Sequence, residues 1–241
     1  MQQSQIDNVQ PIQKLNNDMQ HIDTKSSPNS GNTRLAAVPL SEVYNMDCIE
    51  GMKQYPDKYF DLAVVDPPYG LGDKKLTQGG TWASKYKAGD AAWDIAPNKE
   101  YFDELFRVSK EQIVWGGNYF ELPGTRCFII WDKVAHMETM ADCEFAWTSL
   151  DRNAKIFKHV RNTAEQRIHI CQKPIKLYDW IFSNYTKEGD KILDTHLGSG
   201  SSRIAANKAG LNFVGFEIDK EYFDAQNKRY NDFIKQIRLP F

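Results

Sequence analysis

The chain has 241 residues, 41% of them hydrophobic and 12% aromatic, enough apolar material for one domain with a sizeable core. The formal net charge of −2 excludes a globally basic binder, so any phosphate contact has to come from local clusters of Lys and Arg. Four cysteines (Cys48, Cys127, Cys143 and Cys171) form no Cys-x-x-Cys pair and have no His at zinc spacing, so neither a metal site nor a disulfide framework is expected. The residues show neither a basic-then-apolar leader nor an apolar run of transmembrane length, so the expectation is a cytoplasmic protein without a membrane partner.

Residues 1–39 are rich in Gln, Asn and Ser and are expected to form a disordered polar tail, with the structural domain spanning 40–241. The run Leu62-Ala63-Val64-Val65 reads as a short buried strand that stops abruptly at Asp66-Pro67-Pro68-Tyr69. Residues 71–98, with several Gly and Pro, read as a long loop, and long loops in compact domains are commonly functional. Glu100 to Val108 reads as a helix with Tyr101, Leu105 and Val108 on one face. Two further strand-like runs follow, at Ile113-Val114-Trp115 and at Cys127 to Trp131. Within 133–167, the part from 151 carries Arg152, Lys155, Lys158, Arg161 and Arg167 against only Asp151 and Glu165. Such a basic run is either a solvated face or a phosphate-contacting segment. A helix is expected over Pro174 to Tyr185, with proline in its first turn. The alternation of strands and helices predicts a parallel-type α/β sheet.

The C-terminal part reads as a strand, a glycine turn, a helix and a second strand. Lys191 to Asp194 leads into Thr195-His196-Leu197-Gly198-Ser199-Gly200, and Ser201 or Ser202 is expected to cap a helix ending near Ala209, with Gly210 just past its end. Phe213 to Phe216 then ends at Glu217, 17 residues after Gly200. Glycine lets a backbone approach a ligand closely, and an acid at the end of the second strand suits a ribose diol. The third glycine of a dinucleotide fingerprint is replaced by Arg203, which disfavours a nicotinamide oxidoreductase and leaves room for a ligand without a pyrophosphate. An ordinary strand-to-helix turn is the plain alternative.

Asp66-Pro67-Pro68-Tyr69 sits at the carboxyl end of a strand, where α/β proteins place ligands. Its two prolines remove backbone N–H donors, leaving an acceptor-rich turn made of the Asp66 carboxylate and the Pro67 carbonyl. Such a turn suits an NH2 group, and Tyr69 offers a face for a base to stack on. Holding both amine hydrogens turns the nitrogen lone pair out of conjugation and toward an electrophilic methyl group. The alternative is a rigid turn with Tyr69 as packing.

Taken together, the Asp66 tetrapeptide and Asp194…Gly198-Ser199-Gly200 resemble the catalytic and cofactor motifs of the β-group S-adenosylmethionine-dependent DNA amino-methyltransferases. Asn45-Met46-Asp47-Cys48 resembles the segment that leads into the catalytic turn, and His169…Gln172-Lys173-Pro174 resembles the segment before the cofactor strand. The resemblance implies a three-layer Rossmann-like fold with a mostly parallel seven-stranded sheet containing one reversed strand. It implies S-adenosylmethionine as cofactor, held by Asp47, Cys48, Asp66, His169, Lys173, Asp194, His196, Gly198, Ser199, Gly200, Ser201 and Glu217. The catalytic set it implies is Asp66, Pro67, Pro68 and Tyr69. Asp before the prolines is similar to the adenine-N6 subgroup rather than the cytosine-N4 one. Thr195-His196 departs from the usual Pro-Phe. DNA is the implied partner, with a possible homodimer. The candidate DNA readers are segments 71–98 and 133–167, through Lys74, Lys75, Lys85, Lys87, Arg152, Lys155, Lys158 and Arg161, with Trp82 or Trp93 as possible wedges. RNA, cytosine N4 and a catalytically silent nucleic-acid-binding subunit are the alternatives.

Overall fold

The computed structural model describes residues 39–71, 94–134, 141–160, 168–169 and 171–238. The expected polar tail lies outside them except for its last residue. Among the described residues, the strands are β1 (Ser41–Tyr44), β2 (Phe60–Val65), β3 (Ser109–Trp115), β4 (Phe128–Asp132), β5 (Cys143–Thr148), β6 (Lys155–Lys158), β7 (Lys191–Asp194) and β8 (Asn212–Phe216). The helices are α1 (Cys48–Met52), α2 (Lys99–Val108), α3 (Ile175–Tyr185), α4 (Ser201–Lys208) and α5 (Lys220–Arg238).

All eight strands form one sheet in the order β1-β8-β7-β2-β3-β5-β4-β6. Only β5 runs against its neighbours, pairing antiparallel with both β3 and β4. The single reversed strand is as expected, while among the described residues the sheet has eight strands rather than seven, with Lys155–Lys158 as an edge strand parallel to β4.

Alternation along the strands sends side chains to two separate cores. Leu62, Val64, Ile113, Trp115 and Ile192 pack with Leu177, Ile181 and Phe182 of α3 and with Ala205 and Ala206 of α4. Ala63, Val65, Val114, Leu193 and Phe216 pack on the other face with Met52 of α1 and with Tyr101, Leu105 and Val108 of α2. The result is the expected three layers.

Local chemistry starts α1, α2 and α3. The Asn98 side chain accepts from Tyr101 N, and Asp47 accepts from Ile49 N and Glu50 N. Pro174 precedes the first turn of α3. The expected serine cap of α4 is not used. Its N-cap is Gly200 in the left-handed region, at φ 70°, and no side chain caps it. Gly210 does follow the helix, left-handed at φ 68°.

Candidate active site

The site follows from strand order. β2 lies beside β7, with Ala63 opposite Leu193. The chain leaving β2 returns through α2 to β3 on one side, whereas the chain leaving β7 returns through α4 to β8 on the other. This divergence opens a crevice at the carboxyl ends of two adjacent strands, where α/β sheets bind ligands. Asp66 follows β2 and the Asp194–Gly200 turn follows β7, so both motifs border that crevice.

The glycine turn is built by its acids. Asp194, 2% exposed, accepts from His196 N at 3.1 Å and from the Ser202 hydroxyl at 2.6 Å. Burial raises its carboxyl to about 7, against the opposing pull of those two donors. Asp194 thus shapes the turn from beneath. Gly198 and Gly200 are both left-handed, at φ 50° and 70°, which is the local reason for glycine at each. Glu217 reaches across from the end of β8, its two oxygens accepting from Gly198 N at 2.8 Å and Asp219 N at 2.9 Å. Asn45 donates to the carbonyls of Glu217 and Ile218, tying the end of β1 to the same corner. Ser199 and Ser201 hydroxyls bond each other at 3.0 Å, and Arg229 of α5 donates to the Ser199 carbonyl and the Ser201 hydroxyl.

His169 borders the turn. Its ring lies 3.5 Å from where a Cβ on Gly198 would stand and packs edge-on against Tyr222. His196 contacts the Thr195 hydroxyl at 2.9 Å, and that hydroxyl also bonds Tyr101 at 2.7 Å. Burial pushes the His196 imidazole down to about 4, so it is neutral near pH 7. Asp47 caps α1, and Cys48 begins that helix with its thiol raised to about 12 by burial and by Asp47.

The Asp66–Tyr69 turn is held from both sides. Tyr69 Oη donates to Asp66 Oδ1 at 2.7 Å. Burial, and then the Asp66 charge, raise the Tyr69 phenol far above its ordinary range and keep it a donor. The Tyr69 ring stacks on Tyr119, with centroids 5.0 Å apart and planes 19° apart, and meets Phe120 edge-on. Pro67 is buried and Pro68 half-buried. Gly70 N donates to the Asp94 carboxylate at 2.9 Å, closing the turn.

Lys173 Nζ bonds Asp66 Oδ2, so Lys173 sits against the Asp66–Tyr69 turn itself. Two more charges complete the row, Glu144 on β5 and Lys133 after β4. Sequence reasoning missed Glu144, Lys133 and Tyr119. Glu144 reaches Lys173, and Lys133 reaches Glu144, only through strand pairing, which leaves no local signal. Gly116-Gly117 just before Tyr119 was the one available cue to a tight approach.

Of the expected DNA-contacting residues, Lys74, Lys75, Lys85, Lys87 and Arg161 lie outside the described residues, as do Trp82 and Trp93. Lys155 and Lys158 are exposed on edge strand β6, with Lys158 Nζ 3.9 Å from Asp132. Arg152 donates to the Asn184 carbonyl and lies over the Tyr185 ring. Among the described residues, no group of three or more His, Cys, Asp or Glu is placed to hold a metal, and no helix is long and apolar enough to cross a membrane.

A family model described as DNA methylase matches residues 95–228, from just before α2 into α5. The chain belongs to the DNA methylase family. This DNA methylase is 24% identical over 249 aligned residues to the type II methyltransferase M.HinfI of Haemophilus influenzae, covering 80% of this chain and 69% of that one. It is 31% identical over 124 residues to the type II methyltransferase M2.DpnII of Streptococcus pneumoniae, covering 52% of this chain and 43% of that one. Its fold matches the cytosine-N4-specific PvuII DNA methyltransferase with a TM-score of 0.56 at 15% identity, over 83% of this chain and 93% of that one. It also matches a putative DNA modification methylase of Thermus thermophilus, in complex with S-adenosyl-L-methionine, with a TM-score of 0.52 at 16% identity, over 81% and 96% of the two chains.

Proposed function

We propose that this DNA methylase transfers the methyl group of S-adenosylmethionine to an exocyclic amine of a base in DNA, N6 of adenine, at the crevice between β2 and β7. The observation that carries the reading is the adjacency of two motifs. An acceptor-rich Asp-Pro-Pro-Tyr turn and a glycine turn with its own acid leave neighbouring strands at the same sheet end.

The residues present fit the cofactor. Each Glu217 oxygen takes one backbone N–H, and a carboxylate oxygen accepts more than one, so capacity remains for a ribose diol. Gly198 and Gly200 put backbone rather than side chain at the turn, and His169 lines its edge. Asp47 stands at the start of α1 for the adenine end. His196 and Ser199 are part of the turn and Ser201 follows it, Asp194 holds its shape, and Cys48 follows Asp47 and packs against the core. When bound, the cofactor supplies a methyl group already activated by its sulfonium.

Asp66 and the Pro67 carbonyl accept the two hydrogens of the target amine and turn its lone pair toward that methyl. Positioning of this kind contributes much of the rate. The Asp66 carboxylate stabilises the positive charge that develops on nitrogen as the new C–N bond forms and the C–S bond breaks. One amine proton then leaves to solvent. The target base leaves its stack to reach the turn and takes over the Tyr69 face that Tyr119 covers in the free protein. Lys155 and Lys158 on the sheet edge contact phosphates, joined by the basic residues of 71–98 and by Arg152 and Arg161. Adenine is favoured over cytosine by resemblance, since Asp rather than Ser precedes the prolines. Pairing of two copies is read from the family resemblance alone and is checked by sedimentation with and without DNA.

The test incubates the protein with unmethylated DNA and S-adenosylmethionine, digests the DNA and resolves the nucleosides by mass spectrometry. The N6-methylated adenine nucleoside is expected. The N4-methylated cytosine nucleoside would move the reading to cytosine, and methylation confined to an RNA substrate would move it off DNA.

A further inference from the structure

Four charged side chains from four different segments stand in a row at the catalytic turn. Asp66 follows β2, Lys173 precedes α3, Glu144 lies on the reversed strand β5, and Lys133 follows β4. Lys173 Nζ bonds Asp66 Oδ2 and lies 3.2 Å from Glu144 Oε2. Lys133 Nζ lies 3.0 Å from Glu144 Oε1. Side-chain exposure is 4% for Lys173, 11% for Lys133, 18% for Asp66 and 27% for Glu144.

Buried charges are costly, and well-packed apolar residues would serve stability at least as well. The row therefore calls for a role in the chemistry. Lys173 alone on Asp66 would neutralise the carboxylate that has to hold a nitrogen becoming positive. A second acid on the same ammonium changes that, because Asp66, Lys173 and Glu144 together carry one net negative charge. Glu144 draws Lys173 off Asp66, and Lys133 draws Glu144 off Lys173.

We propose that Glu144 is a positioning residue for methyl transfer, sharing Lys173 with Asp66 so that the ammonium does not cancel the Asp66 charge that faces the target amine, with Lys133 setting the strength of that sharing. The inference rests on the reading of Asp66 given above. Protonation states agree with it. Burial disfavours the Lys173 charge, yet the Asp66 and Glu144 carboxylates outweigh burial and hold it protonated. Burial acts to raise the Glu144 carboxyl, but Lys173 and Lys133 bring it down to about 2. The face of Trp115, 5.1 Å from Lys173 Nζ, adds a further hold on the cation.

The test compares single-turnover methyl transfer to DNA by the full chain and two variants at saturating S-adenosylmethionine, with cofactor affinity and thermal unfolding measured in parallel. Glu144→Gln keeps the shape and removes the charge. It is expected to slow transfer about tenfold or more with cofactor affinity unchanged. Lys133→Met removes the competing cation and is expected to raise the rate. Opposite signs from the two ends of one ion pair are the signature, since a purely structural pair would lower both rates along with the melting temperature. If Glu144→Gln prevents folding, Lys133→Met decides alone, because loss of packing does not raise a rate. Wild-type transfer by Glu144→Gln, or a slower Lys133→Met, overturns the proposal. An inactive wild-type protein on every DNA tested overturns instead the reading on which it rests.

Discussion

Gly116→Ala tests how tightly the catalytic turn is braced. Gly116 follows β3 in the left-handed region, at φ 68°, where an alanine costs about 1–2 kcal/mol in backbone strain. A Cβ built there would stand 2.2 Å from Tyr69 Cε1 and 2.5 Å from Cζ. Ordinary carbon contacts begin near about 3.5 Å, so the ring has to retreat by roughly 1 Å. The retreat is resisted by Tyr119 stacked on Tyr69 and by Phe120 at its edge. It drags the hydroxyl off Asp66 Oδ1, to which it now donates at 2.7 Å. A misplacement of about 1 Å at a reacting centre costs on the order of 100-fold in rate. The expected variant is therefore folded, melts a few degrees lower, binds S-adenosylmethionine as the wild type does, and transfers methyl about 100-fold more slowly in single turnover. A folded Gly116→Ala protein with the wild-type rate would refute the bracing argument.

Three further substitutions separate the parts of the site. Tyr69→Phe keeps the stacking ring and removes one hydrogen bond to a carboxylate, worth about 1.5–3 kcal/mol, so single-turnover transfer should slow about tenfold while cofactor affinity holds. A parallel loss of affinity, read by calorimetry, would contradict this division. Glu217→Ala removes the acceptor for Gly198 N and Asp219 N, and calorimetry should show S-adenosylmethionine binding weakened at least about tenfold. Unchanged affinity would take Glu217 out of the cofactor site. His196→Phe probes pH. The imidazole falls from 6.5 unfolded to about 4 folded, so its stability contribution is complete above pH 6.5 and is lost as pH falls through 4. The ring is only part-buried, so roughly 2 kcal/mol is at stake. Asp194 acts in the opposite sense, its contribution being lost as pH rises through about 7, but it is common to both proteins. Thermal melts of the two proteins should therefore diverge as pH falls from 6.5 toward 4, and parallel curves would remove His196 from the acid response.

What was legible in the sequence was local. The apolar run ending at Asp66 is β2, the stripe of Tyr101, Leu105 and Val108 is the buried face of α2, and Gly210 does end α4. The glycine turn and Glu217 were readable because strand, turn, helix and strand follow one another without a break, and in the structure Glu217 bonds the turn directly. Non-local features were not readable. β6 has the sequence Lys-Ile-Phe-Lys and is largely exposed, so its charged pattern resembled a solvated segment rather than an edge strand. β5 starts exposed and ends buried, which gives no clean alternation, and its reversed pairing is what brings Glu144 to Lys173. Ser201 and Ser202 have capping chemistry, but Gly200 takes the left-handed start of α4 and frees them to bond Ser199 and Asp194. The two glycines of the turn were read as places of close ligand approach, and the backbone conformation itself already requires them. Tyr69 was read only as a stacking face, though its hydroxyl holds the acid three residues before it.

The most direct test of the account is Asp66→Ala beside the wild-type protein, each given labelled S-adenosylmethionine and unmethylated genomic DNA, with cofactor affinity measured on the same preparations. The account predicts label in adenine with the wild type, none with the variant, and cofactor binding in both. Methyl transfer at the wild-type rate by the alanine variant would contradict it, because the amine would then be activated somewhere other than the Asp66 turn.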